Sequence, residues 1–196
     1  GEAVAVVTAQ DGTKTNYLCL STAMSNAPAG SVIQLKQDVT LTASVGTKNY
    51  GVTLDLNGHN IDGTAVTKDS AVELKTNYGA KPVAGIDSTM RLINSVPGEG
   101  GRITAPQPLC FRSGDSNIPL AGEIREGVTL TGMAPNTSAV TLESSAYLLY
   151  SDTTAEYVTN GGFRVTASDG DRIYGYYANA VGASVNGLVT LLHSYV

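Results

Sequence analysis

The stretch VTLDLNGHNI (52–61) alternates apolar and polar residues and then breaks the pattern. Alternation with a period of two is typical of a half-buried β-strand, because successive side chains point to opposite faces. The dipeptide Asn57-Gly58 favours a turn where the alternation ends. The sequence therefore predicts a short strand, a corner and a new apolar contact at Ile61. The predicted inward residues of the strand are Val52, Leu54 and Leu56.

The composition favours the same kind of structure throughout the chain. Of the 196 residues, 42% are hydrophobic, 15% are charged and 22 are glycine. The charged share is below the usual value of about 25%, and a helical bundle would be richer in Glu and Lys at helical spacing. We therefore expect many short strands joined by tight turns.

The net charge of −5 and the scattered positions of the 12 basic residues argue against a nucleic-acid partner. A phosphate backbone is bound by clustered Lys and Arg, and no such cluster is present in the sequence. No apolar run approaches the length of about 18 residues that a membrane-spanning helix needs, so no membrane span is predicted.

Short apolar segments recur at intervals of about 20 residues, which is at the short end of the range for solenoid repeats. If the interval marks successive coils, side chains of the same wall stack about 4.8 Å apart and form a continuous core. Four residues are then predicted to share one inward wall: Val52, Val72, Met90 and Leu109. One α-helix is predicted before them, over TNYLCLSTAMSNAPAG (15–30), with Thr15 or Asn16 as its N-cap.

The segments GSVIQLKQDVTLT (30–42) and GVTLDLNGHNIDG (51–63) resemble the opening of right-handed parallel β-helix domains, the pectate-lyase-like solenoids of bacterial secreted and surface proteins. MRLINSVPGEGGRITA (90–105) resembles a further coil, and the preceding helix resembles the amino-terminal cap of that family. The resemblance covers residues 15–105. It implies an all-β fold, a right-handed parallel β-helix solenoid with an N-terminal capping α-helix. It also implies one domain over 1–196, with stacked coils over 31–196, as a module of a larger surface protein.

Three asparagines follow predicted strands, at Asn57, Asn77 and Asn94. Two interpretations stay open: a stack of side-chain amides along the coils, or ordinary turn chemistry. The cysteines, Cys19 and Cys110, are expected to be free thiols, because the predicted coil order separates them by far more than the roughly 7 Å that a disulfide allows between Cα atoms.

The residues predicted to face outward on one wall include both acids and bases. Enzymes on similar β-helices place such groups on an outer wall, so a polysaccharide lyase or glycoside hydrolase is an alternative function. The simpler interpretation is cross-strand ion pairing, which stabilises a sheet by about 0.2–1 kcal/mol per pair. The alternative catalytic residues are Asp55, Glu73, Arg91 and Arg112.

The segment SDGDRIYGYY (168–177) contains candidate ligand-binding residues. Its tyrosines could stack on sugar rings, whose C–H faces suit aromatic faces. Asp169 and Asp171 could bind calcium, but a plain turn explains Asp-Gly-Asp as well, and the full calcium-loop pattern is absent. The predicted carbohydrate-binding residues are Tyr174, Tyr176 and Tyr177.

No metal site or cofactor is predicted, because neither His59 nor His193 has a partner at metal-ligand spacing. The sequence contains no recognisable catalytic set. We therefore expect a non-catalytic, extracellular or cell-surface module of a bacterial protein that binds a polysaccharide or cell-surface glycan. The enzyme remains the alternative.

Overall fold

The computed structural model describes residues 1–196. Most of its regular structure is strand, and its three helices have seven residues or fewer. The all-β class is confirmed. The elements are, in chain order, β1 (Ala5–Thr8), β2 (Lys14–Tyr17), α1 (Leu20–Asn26), β3 (Val32–Leu35), β4 (Val39–Thr40), β5 (Val45–Gly46), β6 (Thr53–Asp55), β7 (Asn60–Asp62), β8 (Val72–Lys75), β9 (Met90–Ile93), β10 (Arg102–Ala105), β11 (Leu109–Arg112), β12 (Leu120–Ile124), β13 (Thr129–Gly132), β14 (Val140–Glu143), β15 (Ala146–Leu149), α2 (Asp152–Tyr157), β16 (Phe163–Ala167), β17 (Gly170–Tyr174), α3 (Tyr177–Ala183) and β18 (Thr190–Leu191).

The strands form three sheets that the chain visits in a fixed order. Sheet A has the order β18-β16-β17-β15-β12-β9-β6-β3-β1-β2, sheet B the order β13-β10-β7-β4, and sheet C the order β14-β11-β8-β5. From β3 to β14 the chain passes through sheets A, B and C in turn, four times. We call each passage a circuit. All pairings between equivalent strands of successive circuits are parallel.

Apolar side chains of equivalent strands line up between the sheets and form one core. In sheet A, Leu54 pairs with Ile33 and Leu92, and all three are fully buried. In sheet C, Leu109 pairs with Val72 and Val140 in the same way. Burial of such side chains is the main stabilising contribution, about 25 cal/mol per Å² of apolar surface.

The prediction that apolar segments about 20 residues apart stack on one inward wall is wrong. Met90 lies in β9 of sheet A and Val52 directly precedes β6 of the same sheet, where its carbonyl accepts from Arg91 N, whereas Val72 and Leu109 are paired in sheet C. Paired residues of successive circuits are separated by 21 to 42 positions in the sequence. Loops of different lengths connect the strands outside the core, and lengthening such a loop costs little entropy. A single period fitted to all apolar segments therefore assigned strands of different sheets to the same wall.

The amino-terminal helix is shorter than predicted. It spans Leu20–Asn26, and Cys19 rather than Thr15 or Asn16 is its N-cap. Residues 14–17 instead form β2, which pairs antiparallel with β1, and β1 pairs antiparallel with β3. The hairpin thus covers the first edge of sheet A, while α1 packs against β5 of sheet C and buries Leu20, Ala23 and Met24.

Parallel pairing ends at β15 and does not continue over the whole predicted range of coils, 31–196. Beyond it, β17 and β16 add to sheet A as an antiparallel hairpin, followed by β18. Helix α2 covers the other end of the core: the hydroxyl of Tyr157 accepts from Leu130 N at 3.3 Å and donates to Val128 O at 3.1 Å. These bonds satisfy backbone groups on the open edge of sheet B.

Two of the three asparagines at strand ends occupy equivalent corners. Asn57 has a positive φ of 50° and donates from its amide to Leu35 O at 2.9 Å, one circuit earlier. Asn94 donates to Gly127 O at 3.1 Å, one circuit later. Asn77 instead follows a strand of sheet C. The amides bond backbone carbonyls of neighbouring circuits, so turn chemistry is observed and the three-residue amide stack is wrong.

Candidate functional site

The outer face of sheet C presents two rows of polar side chains. Strand alternation turns Leu109 and Phe111 inward and their neighbours outward. Register aligns equivalent outward positions of successive strands. One row contains Gly46, Glu73, Cys110 and Thr141, and the next contains Lys75, Arg112 and Glu143.

Arg112 connects the charged residues of both rows. Its guanidinium lies 2.9 Å from Glu73 and 3.1 Å from Glu143, and Lys75 Nζ is 3.6 Å from the same Glu73 oxygen. Burial opposes the charge on Arg112, but these acids outweigh it and raise its pKa. The network is therefore a fixed set of donors and acceptors rather than a group of freely moving side chains.

Beside this network lies an open cleft of about 330 Å³ without any apolar residue in its lining. The side chain of Lys75 passes over Gly46 in this cleft. A Cβ atom added to Gly46 would lie only 2.9 Å from Lys75 Cε, so a larger residue at position 46 would displace Lys75. Lys48 lines the cleft and belongs to none of the ion pairs, so its ammonium is available to a ligand. The lining consists of Ser44, Gly46, Lys48, Asp69, Glu73, Lys75 and Arg112.

An exposed aromatic residue belongs to a loop that is bonded to the backbone of Lys48, one of the cleft residues. Asn77 N donates to Lys48 O at 3.0 Å, which ties the loop after β8 to the backbone of Lys48. The next residue in that loop is Tyr78, whose side chain is 85% exposed. An aromatic ring with this exposure has no structural role in the core and can present a face to a ligand.

Cys110 lies in the outward row but is buried, with Glu73, Arg112 and Glu143 around it. Burial raises the pKa of its thiol to about 12. Cys19 is exposed in the amino-terminal cap, and a hydrogen bond with Thr22 lowers its pKa. Both cysteines are free, as predicted.

The structure divides the predicted catalytic alternatives between two walls. Glu73 and Arg112 lie on sheet C, whereas Asp55 and Arg91 lie on sheet A. Arg91 is held there by Asp87 at 2.7 Å and Glu123 at 3.1 Å. The two predicted acids are therefore not brought together on neighbouring strands, and a carboxylate pair built from them is not formed.

Asp55 has a structural position at the corner between sheets A and B. It is 3% exposed and accepts hydrogen bonds from Gln34 Nε2 at 3.0 Å, Ser95 N at 3.0 Å and Asn57 N at 2.9 Å. Burial alone would raise the pKa of Asp55, but these bonds outweigh it and lower the pKa. A general acid needs a raised pKa, so this environment is the opposite of the one required.

The predicted tyrosines do not lie along one strand. Tyr174 ends β17 and is 5% exposed, and its ring packs 5.3 Å from that of Tyr147. Tyr176 is the N-cap of α3 and Tyr177 its first residue, with 51% and 61% exposure. Tyr174 is therefore part of the packing, while Tyr176 and Tyr177 present their rings at the surface.

The two aspartates of the 168–177 segment form ion pairs with arginines. Asp169 binds Arg172 at 2.8 Å and Asp171 binds Arg164 at 2.7 Å. Ser168-Asp169 forms the two-residue turn of the β16–β17 hairpin, and Gly170 begins β17. This geometry agrees with the plain-turn interpretation of Asp-Gly-Asp. His59 Nδ1 lies 3.4 Å from Asp38 at the surface.

Sequence reasoning missed Lys48 and Tyr78, because both lie outside the periodic segments. A signal for Tyr78 is present in the local sequence: it stands in the polar, glycine-containing stretch TNYGAK (76–81), where a large aromatic residue has no strand face to bury against. Lys48 has no comparable signal, since its place depends on the pairing of β5 with β8.

Comparisons with protein-family models, curated proteins and solved structures returned no match to this chain. None of the helices has the length and apolar character that crossing a membrane requires. The site is therefore interpreted from its own geometry.

Proposed function

We propose that this protein is a right-handed parallel β-helix module that binds a polysaccharide in the cleft on sheet C and does not cleave it. In this proposal the four circuits are stacked coils. Their hand follows from the rule that about 98% of connections between parallel strands of one sheet are right-handed. We further propose that the module acts at a bacterial cell surface or outside the cell, as the resemblance of residues 15–105 implies.

The observation that carries the binding proposal is the combination of an all-polar cleft with the exposed Tyr78 in the loop bonded to Lys48. Sugars expose hydroxyl groups around the rim of the ring and C–H groups on its faces. Lys48, Asp69 and Glu73 supply donors and acceptors for the hydroxyl groups, and Tyr78 supplies an aromatic face. The cleft is open, which suits the side of a long chain better than a small enclosed ligand.

The absence of cleavage is supported by how the acids are used. Asp55 is a buried acceptor with a lowered pKa, and Glu73 is held by Arg112 and Lys75. Hydrolysis with general acid catalysis requires a carboxyl group that can donate its proton to the leaving oxygen. Neither of these residues stands in such an environment.

Affinity electrophoresis through gels containing neutral and acidic polysaccharides tests the proposal. We expect at least one polysaccharide to retard the protein, and Lys48→Ala or Tyr78→Ala to weaken the interaction at least tenfold, or about 1.4 kcal/mol. Tyr176→Ala is the matched control, because it removes another exposed tyrosine ring far from the cleft in sequence.

Three results would overturn the proposal in different ways. Loss of retardation in Tyr176→Ala or Tyr177→Ala, with Tyr78→Ala unchanged, would move the glycan site to the α3 tyrosines. Depolymerisation that Glu73→Gln abolishes would show that the protein is a lyase or hydrolase. No retardation by any polysaccharide would remove glycan binding.

A further inference from the structure

The carboxyl-terminal end of the protein combines exposed apolar side chains with an absence of charge. Seven large apolar side chains are exposed between residues 176 and 195, and the whole stretch 173–196 contains no Asp, Glu, Lys or Arg. We call these seven residues the apolar end surface: Tyr176, Tyr177, Val181, Val185, Leu188, Leu191 and Tyr195.

Packing around Phe163 joins residues of this surface into one patch. Its ring contacts Tyr177 edge-on at 5.7 Å and lies 6.2 Å from the ring of Tyr195, and its strand neighbour in β18 is Leu191. Val181 follows Tyr177 by one turn of α3. Val185 is fixed to β16 by a hydrogen bond from its N–H to Thr166 O at 3.1 Å.

The patch borders an open sheet edge. Strand β18 is the last strand of sheet A, no strand lies beyond it, and both Thr190 and Leu191 are exposed. An open edge presents unpaired backbone groups that can pair with another strand. Two identical edge strands that meet antiparallel satisfy a twofold axis, so the same surface serves both partners.

From these features we infer that the apolar end surface is the interface of a symmetric dimer, in which β18 of one copy pairs antiparallel with β18 of a second copy. The inference does not depend on the glycan-binding proposal.

Charge and area both favour a second copy of the chain. Each copy has a net charge of −5, so two copies repel each other overall. The apolar end surface carries no charged side chain, so contact there brings the fewest like charges together. With 150–250 Å² for a whole aromatic side chain and somewhat less for an aliphatic one, the exposed parts of its seven residues sum to roughly 800 Å². A standard stable interface buries about 800 Å² per partner. A strongly charged partner, in contrast, would find no counter-charge here.

The other edge of sheet A is less suited to self-association. Strand β2 exposes Lys14, Thr15 and Asn16, so pairing there would place two lysines close together. Pairing of β2 with β18 would not close and would produce an open chain of copies. Pairing of β18 with β18 therefore predicts a different assembly from pairing of β2 with β2 and from pairing of β2 with β18.

Sedimentation equilibrium of the whole chain, from about 1 μM to about 1 mM, tests the inference over the affinity range of standard interfaces. We expect a monomer–dimer equilibrium. The dissociation constant of the dimer should be at least 100-fold larger for Leu191→Asp than for the unchanged protein. Val83→Asp, at an exposed valine far along the sequence, should leave it unchanged. Melting curves of both variants establish that they fold.

Cysteine cross-linking then locates the interface independently of any apolar-to-acid substitution. In a Cys19→Ser background, Thr190→Cys should form a disulfide-linked dimer under mild oxidation, and Thr15→Cys on β2 should not. A protein that is monomeric up to about 1 mM, a dimer that only Thr15→Cys cross-links, or polymers larger than a dimer would each overturn the inference.

Discussion

Arg112 donates a hydrogen bond from Nη2 to Oε2 of Glu73 over 2.9 Å and so joins β11 to β8 on the outer face of sheet C. Cys110 lies beside this bond, is buried and has a pKa of about 12. Because the thiolate is the reactive form of cysteine, burial under the charged network makes Cys110 inert.

Removing the guanidinium should therefore make Cys110 reactive. In a Cys19→Ser background, we expect Arg112→Ala to increase the rate of thiol labelling of the native protein at least tenfold, or about 1.4 kcal/mol of lost protection. Arg125→Ala, which breaks the 2.7 Å ion pair with Glu123 on sheet A, is the matched control. Equal rates in the two variants would mean that the network does not shield the thiol.

Acid should destabilise the protein through Asp87 and Asp55. Hydrogen bonds from Thr89 N and Arg91 lower the pKa of Asp87 to about 2, and the pKa of Asp55 is also lowered. Since both pKa values are below the unfolded value of about 3.9, the stabilisation is fully present above that pH and is lost as the pH falls towards about 2.

Urea unfolding at several pH values measures this effect. We expect Asp87→Asn to reduce the slope of the unfolding free energy against pH between about 4 and about 2, because the unfolded state no longer gains a proton at this position. Glu2→Gln, at an exposed residue that forms no ion pair, is the matched control. An identical slope in both variants would contradict the assignment.

Local alternation was sufficient to predict strand faces but not the order of the walls. Val52, Leu54 and Leu56 are fully buried, and the chain turns at Asn57 with a positive φ, as the quoted segment predicts. The assignment of Val72 to the same wall failed, because no local feature says that residue 63 starts a loop before the next strand. Wall order depends on pairing between residues far apart in sequence.

The carboxyl-terminal hairpin had a local signal that the fixed interval obscured. Asp169-Gly170 between alternating segments indicates a tight β-hairpin turn. The structure has this hairpin, with its two-residue turn one position earlier, at Ser168-Asp169, and with Gly170 as the first residue of β17. The candidate cleft had no equivalent signal. It is assembled from β5, β8 and β11 with the loops beside them, so its residues converge only after the circuits stack.

The hydroxyl of Tyr157 should stabilise the open edge of sheet B. Its partners, Leu130 N and Val128 O, belong to buried residues, and a buried backbone group without a partner costs about 1–3 kcal/mol. We expect Tyr157→Phe to lower the unfolding free energy by that amount and to speed hydrogen exchange at the Leu130 amide.

Tyr150→Phe is the matched control for this substitution, because the Tyr150 hydroxyl bonds only the exposed carboxylate of Asp152, at 3.3 Å. Its cost should stay below about 0.5 kcal/mol, as for most surface substitutions. Equal losses in the two variants would show that α2 does not satisfy the edge of sheet B through this hydroxyl.

Gly122 and Phe111 face each other across the core, from sheets A and C. A Cβ atom at Gly122 would lie 2.5 Å from Phe111 Cδ1 and 2.6 Å from Cε1, and the ring is fully buried. The backbone of Gly122 does not have a positive φ, so the glycine is required by space and not by conformation. We expect Gly122→Ala to destabilise the protein by about 1–3 kcal/mol through overpacking.

A smaller residue at position 111 should relieve this clash. Phe111→Leu alone destabilises by leaving unfilled volume, but the double variant with Gly122→Ala should be more stable than the sum of the single effects, by about 0.5–3 kcal/mol. Phe163→Leu, which changes a phenylalanine at the carboxyl-terminal end, should be additive with Gly122→Ala. Chemical denaturation of the three single and two double variants measures the coupling. Additivity within about 0.5 kcal/mol for the Phe111 pair would show that the two side chains do not share this space, and with it that sheets A and C are not packed in the register described.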